Sequence, residues 1–279
     1  MTETIYDYQP PVSQLLSLGD PGHQLRQVDY LALGLSETHV PELIRMLQDE
    51  DLNWADSESD EVWAPLHAWR TLGALRAEAA IEPLVEILPR IDEDEDDWVA
   101  EELPDVFASI GAAAVPALGL FLADPRRGLW AQVAAASSLS KIGEQHPQAR
   151  EICVAALMNT LKNFKTQEEE LNGFIVSALV DLKAVEAAPL MEQAFQAEKV
   201  DFSILGDWED AQIELGLLNK RLTPPPEYVW LHESEIRRME QRQAQFKAQQ
   251  HSQRQAKAKA KAKRKQAKQT RQKQRKKKK

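Results

Sequence analysis

The chain has 279 residues, 43% of them hydrophobic, a formal net charge of −10 and one cysteine. That apolar content supports a substantial core, and no run reaches the roughly 18 apolar residues of a membrane span. Cys153 on its own excludes an intramolecular disulfide and a cysteine zinc cluster, and the start, MTETIYDYQPPVSQLL, lacks the basic opening and apolar middle of a secretory signal. A protein of the reducing cytoplasm is the simplest expectation.

The net charge conceals a split. From Arg237 to Lys279 there are 19 Lys and Arg and one acid, a balance of +18. The rest of the chain carries 15 basic and 43 acidic side chains, a balance of −28. Such asymmetry describes a folded acidic body with a charged interaction tail.

In chain order, residues 1–28 read as a lead-in with one short helix, Ser13 to Leu18. Ser13 serves as N-cap, and Gly19 followed by Pro21 stops the helix. From Tyr30 a motif recurs: Ala32-x-x-Leu35, Leu72-x-x-Leu75, Phe107-x-x-Ile110, Leu139-x-x-Ile142 and Leu179-x-x-Leu182. The spacing of the second members falls within the period of roughly 20–50 residues that marks stacked repeats. In four of the five, a turn and a Pro-x-hydrophobic element follow, at Pro41, Pro83, Pro116 and Pro189. Self-similarity of this kind predicts stacked helical hairpins, each burying its apolar face against its neighbours.

Each repeat reads as a longer first helix and a shorter second one. Val99, Leu103, Val106, Phe107 and Ile110 fall on one helical stripe. Proline sits in the first turn of the second helices, where its missing N–H costs nothing. Trp63, Trp98 and Trp130 stand at one constant offset ahead of Leu75, Ile110 and Ile142, so each opens a first helix; Glu170 holds the fourth such place. Trp208 opens a last helix to about Leu218, and Pro224-Pro225-Pro226 ends the folded region. Alternating strand patterns bounded by hairpin turns are missing. The fold class that follows is all-α: an α-solenoid of about five helical hairpins over 29–222, then a Pro-rich linker and basic tail over 223–279.

The segment Trp130-Ala-Gln-Val-Ala-Ala-Ala-Ser-Ser-Leu-Ser-Lys-Ile-Gly143 resembles the first helix and turn of a HEAT repeat. More specifically, it is similar to the short type found in phycobilisome lyases, whose alanine-rich helix ends Leu-Gly-x-Ile-Gly before an Ala-Val-x-x-Leu helix. Leu72-Gly-Ala-Leu75 and Ser109-Ile-Gly-Ala-Ala-Ala-Val-Pro-Ala-Leu118 match that pattern in pieces. The resemblance covers roughly residues 30 to 220 and implies an armadillo-type superhelix. Scaffolds, adaptors and a few chromophore lyases share these repeats. The acidic-Pro-Arg turn of the lyase type is replaced by Arg76-Ala77-Glu78 and Lys183-Ala184-Val185, and no bilin-attachment residues carry over.

Catalytic and metal motifs are not recognised. The six histidines are scattered, without a His-x-x-x-His pair. Cys153 sits mid-helix as a small hydrophobe, and Arg126-Arg127 reads as a surface salt-bridge pair. The acidic loops 49–61 and 92–97 read as solvated, with loose Ca²⁺ or a basic partner as the alternative. The tryptophans read as staples between repeats, or as a row that captures basic or aromatic peptide segments.

The expected function is a non-enzymatic scaffold or adaptor, monomeric or weakly self-associating, with no cofactor. A protein partner would meet the second helices at Glu42, Arg45, Glu82, Glu86, Arg150, Glu151 and Glu192, together with Trp63, Trp98, Trp130 and Trp208. In the tail, Arg254, Lys257, Lys259, Lys261, Lys263, Arg264, Lys265, Lys268, Arg271, Lys273, Arg275 and Lys276, Lys277, Lys278, Lys279 would displace counterions from RNA, DNA or the ribosome. With no aromatic after Phe246, that contact would lack base stacking. Attraction of the tail to the acidic body, in cis or in a second copy, is the competing reading. From another class, the resemblance implies a bilin-type chromophore lyase or chaperone.

Overall fold

The computed structural model describes residues 6–22 and 28–224. The chain divides into two units, Met1–Pro226 and Glu227–Lys279, and the described helices lie in the first. Every regular element in the described residues is helical.

The helices are α1 (Val40–Leu47), α2 (Glu50–Asn53), α3 (Ala64–Ala74), α4 (Ile81–Ile87), α5 (Arg90–Glu93), α6 (Asp97–Ile110) and α7 (Val115–Ala123). They continue with α8 (Leu129–Gln145), α9 (Arg150–Leu161), α10 (Glu169–Asp181), α11 (Ala188–Gln196), α12 (Phe202–Leu205) and α13 (Trp208–Glu214). Among the described residues a three-residue 3-10 turn precedes α1, α4, α7, α9 and α11, beginning at Glu37, Glu78, Ala112, Pro147 and Val185. These are the second helices, and the repeated turn fixes how the chain reverses into each. Pro41, Pro116 and Pro189 lie at the first or second position of α1, α7 and α11. Arg76 at φ 52 and Lys183 at φ 50 take the left-handed conformation just before two of these turns.

Contacts run between successive helix pairs. First helices form one row, α3 against α6, α6 against α8, α8 against α10, and α10 against α13. Second helices form another, α4 against α7, α7 against α9, and α9 against α11. The predicted stripe of α6, Val99 to Ile110, is buried, as are Leu72, Phe107, Leu139 and Leu179. Leu35, Ile110, Ile142 and Leu182 are also buried, and Leu75 packs half-buried on the core. Gly143 permits one of the closest approaches: a Cβ there would stand 2.5 Å from Leu182 Cδ2.

Three expectations require correction. Ala32-x-x-Leu35 is a turn, because the Asp29 carboxylate caps the Ala32 amide and Gly34 takes φ 88. The described residues therefore hold four complete pairs, α3/α4, α6/α7, α8/α9 and α10/α11, flanked by α1 and α13, in place of five. The lead-in helix is a 3-10 helix, Val12–Ser17, whose N-cap is Pro11 and not Ser13. The last helix stops at Glu214, short of Leu218, where Gly216 turns at φ 75.

Among the described residues no single helix is long and apolar enough to cross a membrane. Residues 97–123 reach that length only as two helices bent by 114°, and their apolar side chains largely fill the core.

Candidate functional site

The predicted second-helix residues divide into two groups. Glu42 and Arg45 meet at 3.3 Å on α1 and are already engaged by the lead-in. Arg45 donates to the Asp7 carbonyl at 2.6 Å and lies 4.0 Å over the Tyr8 ring, while Glu42 accepts the Gln9 amide at 2.9 Å. Tyr8 completes the strap by donating to Asp49 at 2.8 Å. Glu86 accepts from Gln48 at 2.9 Å, tying the end of α1 to α4. Glu82, Glu151 and Glu192 are exposed. Arg150 is turned inward: it donates to the Leu182 and Lys183 carbonyls at 2.7 and 2.9 Å and to Glu186 at 2.8 Å. It thereby caps the C-terminus of α10. The tail cations Arg254 to Lys279 lie outside the described residues.

The tryptophans stand where the register places them, at the openings of α3, α6, α8 and α13. Trp63 meets Trp98 edge to face, with ring centroids 5.3 Å apart at 83°. Trp130 meets Phe174 at 6.0 Å and Trp208 meets Phe195 at 5.7 Å. Each of these ring contacts joins residues far apart in the chain, from one helix opening to another element. Trp130 remains half exposed.

The acidic loops do more than dissolve the protein. Asp92 accepts the Trp130 and Ala131 amides at 3.0 and 2.9 Å, capping α8 from the preceding repeat. Asp96 caps α6 through the Val99 amide at 3.2 Å, and Asp49 caps α2. Burial raises the Asp96 carboxyl above the usual carboxylate range, against the pull of its own cap and of Arg90. Glu93, Glu95 and Asp97 are exposed.

Two buried amides were not legible as site or structural residues. Gln132 donates to the Leu122 carbonyl at 2.7 Å. Asn172 donates to the Phe164 and Lys199 carbonyls at 2.9 and 2.7 Å. Both stand at the same offset ahead of the last motif position, Ile142 and Leu182, so a polar residue at that phase was the available signal. Each ties the end of one second helix to the start of the next first helix.

Among the described residues, two of the cavities open along the first helices. One, of 320 Å³, is lined by Arg70, Gly73, Glu102, Asp105 and Val106 between α3 and α6. Its charges are spent: Arg70 pairs with Glu102, whose other oxygen lies 2.8 Å from Arg70 Nε, and Lys141 pairs with Asp105 at 2.6 Å. The other, of 230 Å³, lies at the openings of α3 and α6 and is lined by Trp63, Trp69, Trp98 and Asp96, with Asn53 and Ser57. Among the described residues no three His, Cys, Asp or Glu converge as metal ligands. Cys153 is buried in α9 and burial pushes its thiol up to about 11, far from a nucleophile. Arg126 and Arg127 both pair with Asp124, at 2.8 and 3.2 Å.

No protein-family model matches this chain, and comparisons with curated proteins and with solved structures found no similar protein.

Proposed function

We propose that residues 29–222 form a HEAT-like α-solenoid that serves as a non-enzymatic interaction scaffold in the cytoplasm. The observation that carries this reading is the pair of contact rows, in which first helices meet first helices and second helices meet second helices of adjoining repeats. Repeat stacks of this kind present long surfaces to other proteins. A body of balance −28 suits a basic or amphipathic partner polypeptide. The tail of balance +18 supplies salt-sensitive, sequence-independent attachment to RNA or another polyanion. Buried or paired functional groups at Cys153, Arg70 and Glu102 speak for a surface role over chemistry.

Affinity capture with the full chain and with a truncation ending at Pro226, each at low and high salt, tests the proposal. Partners held by both forms and stable to salt belong to the body; those lost on truncation and at high salt belong to the tail. If neither form retains a protein while the purified chain turns over a small molecule, the scaffold reading is wrong.

A further inference from the structure

The 230 Å³ cavity at the openings of α3 and α6 has an unusual wall for so acidic a surface. Its volume lies below the roughly 300–1,000 Å³ of small-molecule pockets, yet it admits one long side chain. Trp63 and Trp98 stand at 83° to each other, so two indole rings form a corner. Trp69 spends its indole N–H on Glu102 at 3.0 Å and leaves its carbon framework to the wall. Asp96 brings a carboxylate to the same lining. Indole faces are electron-rich and attract cations, the more so where water is excluded.

The surroundings select for positive charge. Residues 49–61 hold seven acids and 92–97 hold six, with no Lys or Arg in either run. One nearby cation, Arg90, is half-buried and donates to Asn53 at 2.6 Å. The elevated Asp96 carboxyl is a group that a second cation would relieve.

We propose that this cavity binds the guanidinium of an arginine presented by a partner polypeptide, held against Trp63, Trp69 and Trp98 and facing Asp96. The inference rests on the scaffold reading and names the chemistry by which one partner segment is recognised. Arginine fits better than lysine because its planar, weakly hydrated head stacks on aromatic faces and still offers donors to a carboxylate. The site is a binding corner, not a reactive one.

The test uses the full chain and three acetylated, amidated peptides, Gly-Arg-Gly, its citrulline counterpart and its lysine counterpart. Indole N–H resonances are followed by NMR and assigned by single Trp→Phe substitutions. The arginine peptide is expected to shift the Trp63 and Trp98 resonances saturably, with citrulline binding about tenfold weaker and lysine in between. Asp96→Asn keeps an N-cap oxygen and should weaken the arginine peptide about tenfold with little change in thermal melting. Asp97→Asn, an exposed neighbour outside the lining, should change nothing. Equal binding of citrulline, equal loss in both Asp variants, or unmoved indoles would overturn the proposal. Unmoved indoles beside a captured, salt-stable partner would remove the pocket and leave the scaffold; loss of that partner as well would remove both.

Discussion

The hydroxyl of Tyr30 lies 2.9 Å from Nδ1 of His67, and the opposite ring nitrogen lies 2.9 Å from the Gly19 carbonyl. A carbonyl only accepts, so Nε2 carries the proton and Nδ1 of the neutral ring accepts from Tyr30. The imidazole therefore pins the lead-in and the first turn to α3, where it is 1% exposed. Burial lowers its pKa, so the unfolded chain takes up this proton more readily. The stabilisation is complete above the unfolded pKa of about 6.5 and is lost as pH falls from there through the lower folded pKa. Urea midpoints measured from pH 5 to 8 should fall below that point, and His67→Gln should remove that part of the slope. An unchanged slope in the variant would contradict the assignment.

Tyr30→Phe leaves Nδ1 buried without its donor. The cost of an orphaned buried acceptor is about 1–3 kcal/mol, and urea unfolding should register a loss in that range.

Asp92 offers a test of capping at a distance. Its carboxylate serves the first amides of α8 through both oxygens, so Asp92→Ala should cost about 0.5–2 kcal/mol, while Asp92→Asn, which keeps one accepting oxygen, should recover only part of that loss. Glu93→Ala, at an exposed position in the same acidic run, should stay within about 0.5 kcal/mol. Equal effects at the two positions would mean that the loop acts only through its net charge.

Cys153 provides a reporter of unfolding. It is buried with its thiol raised to about 11, so iodoacetamide at pH 8 should label native protein only as fast as the chain opens. Labelling as fast as a free thiol in the absence of urea would place Cys153 at the surface.

Much of this fold was legible because its helices obey local rules. Proline at the start of α1, α7 and α11, and apolar spacing along α6, read directly as helices. The Trp register located the openings of α6 and α8, and Trp208 that of α13, while the opening of α10 carries Glu170 and offered no such ring. Ala32-x-x-Leu35 misled because a four-residue match ignores turn chemistry, which Asp29 and Gly34 supply. What stayed hidden depends on contacts between one repeat and the next: Asp92 on α8, Arg150 on the Leu182 carbonyl, His146 on the Ala108 carbonyl at 2.8 Å. The Trp63–Trp98 corner likewise exists only once α3 and α6 lie side by side.

Native-state hydrogen exchange on Asn172→Ala tests most directly whether each repeat is held by its neighbours. The substitution frees the Phe164 and Lys199 carbonyls and should cost about 1–3 kcal/mol. In a nearest-neighbour stack the loss of protection falls on α9, α10 and α11 and fades through α8, while α1 and α3 keep theirs. A uniform loss from α1 to α13 would show a single cooperative globule and contradict the stacked-repeat account.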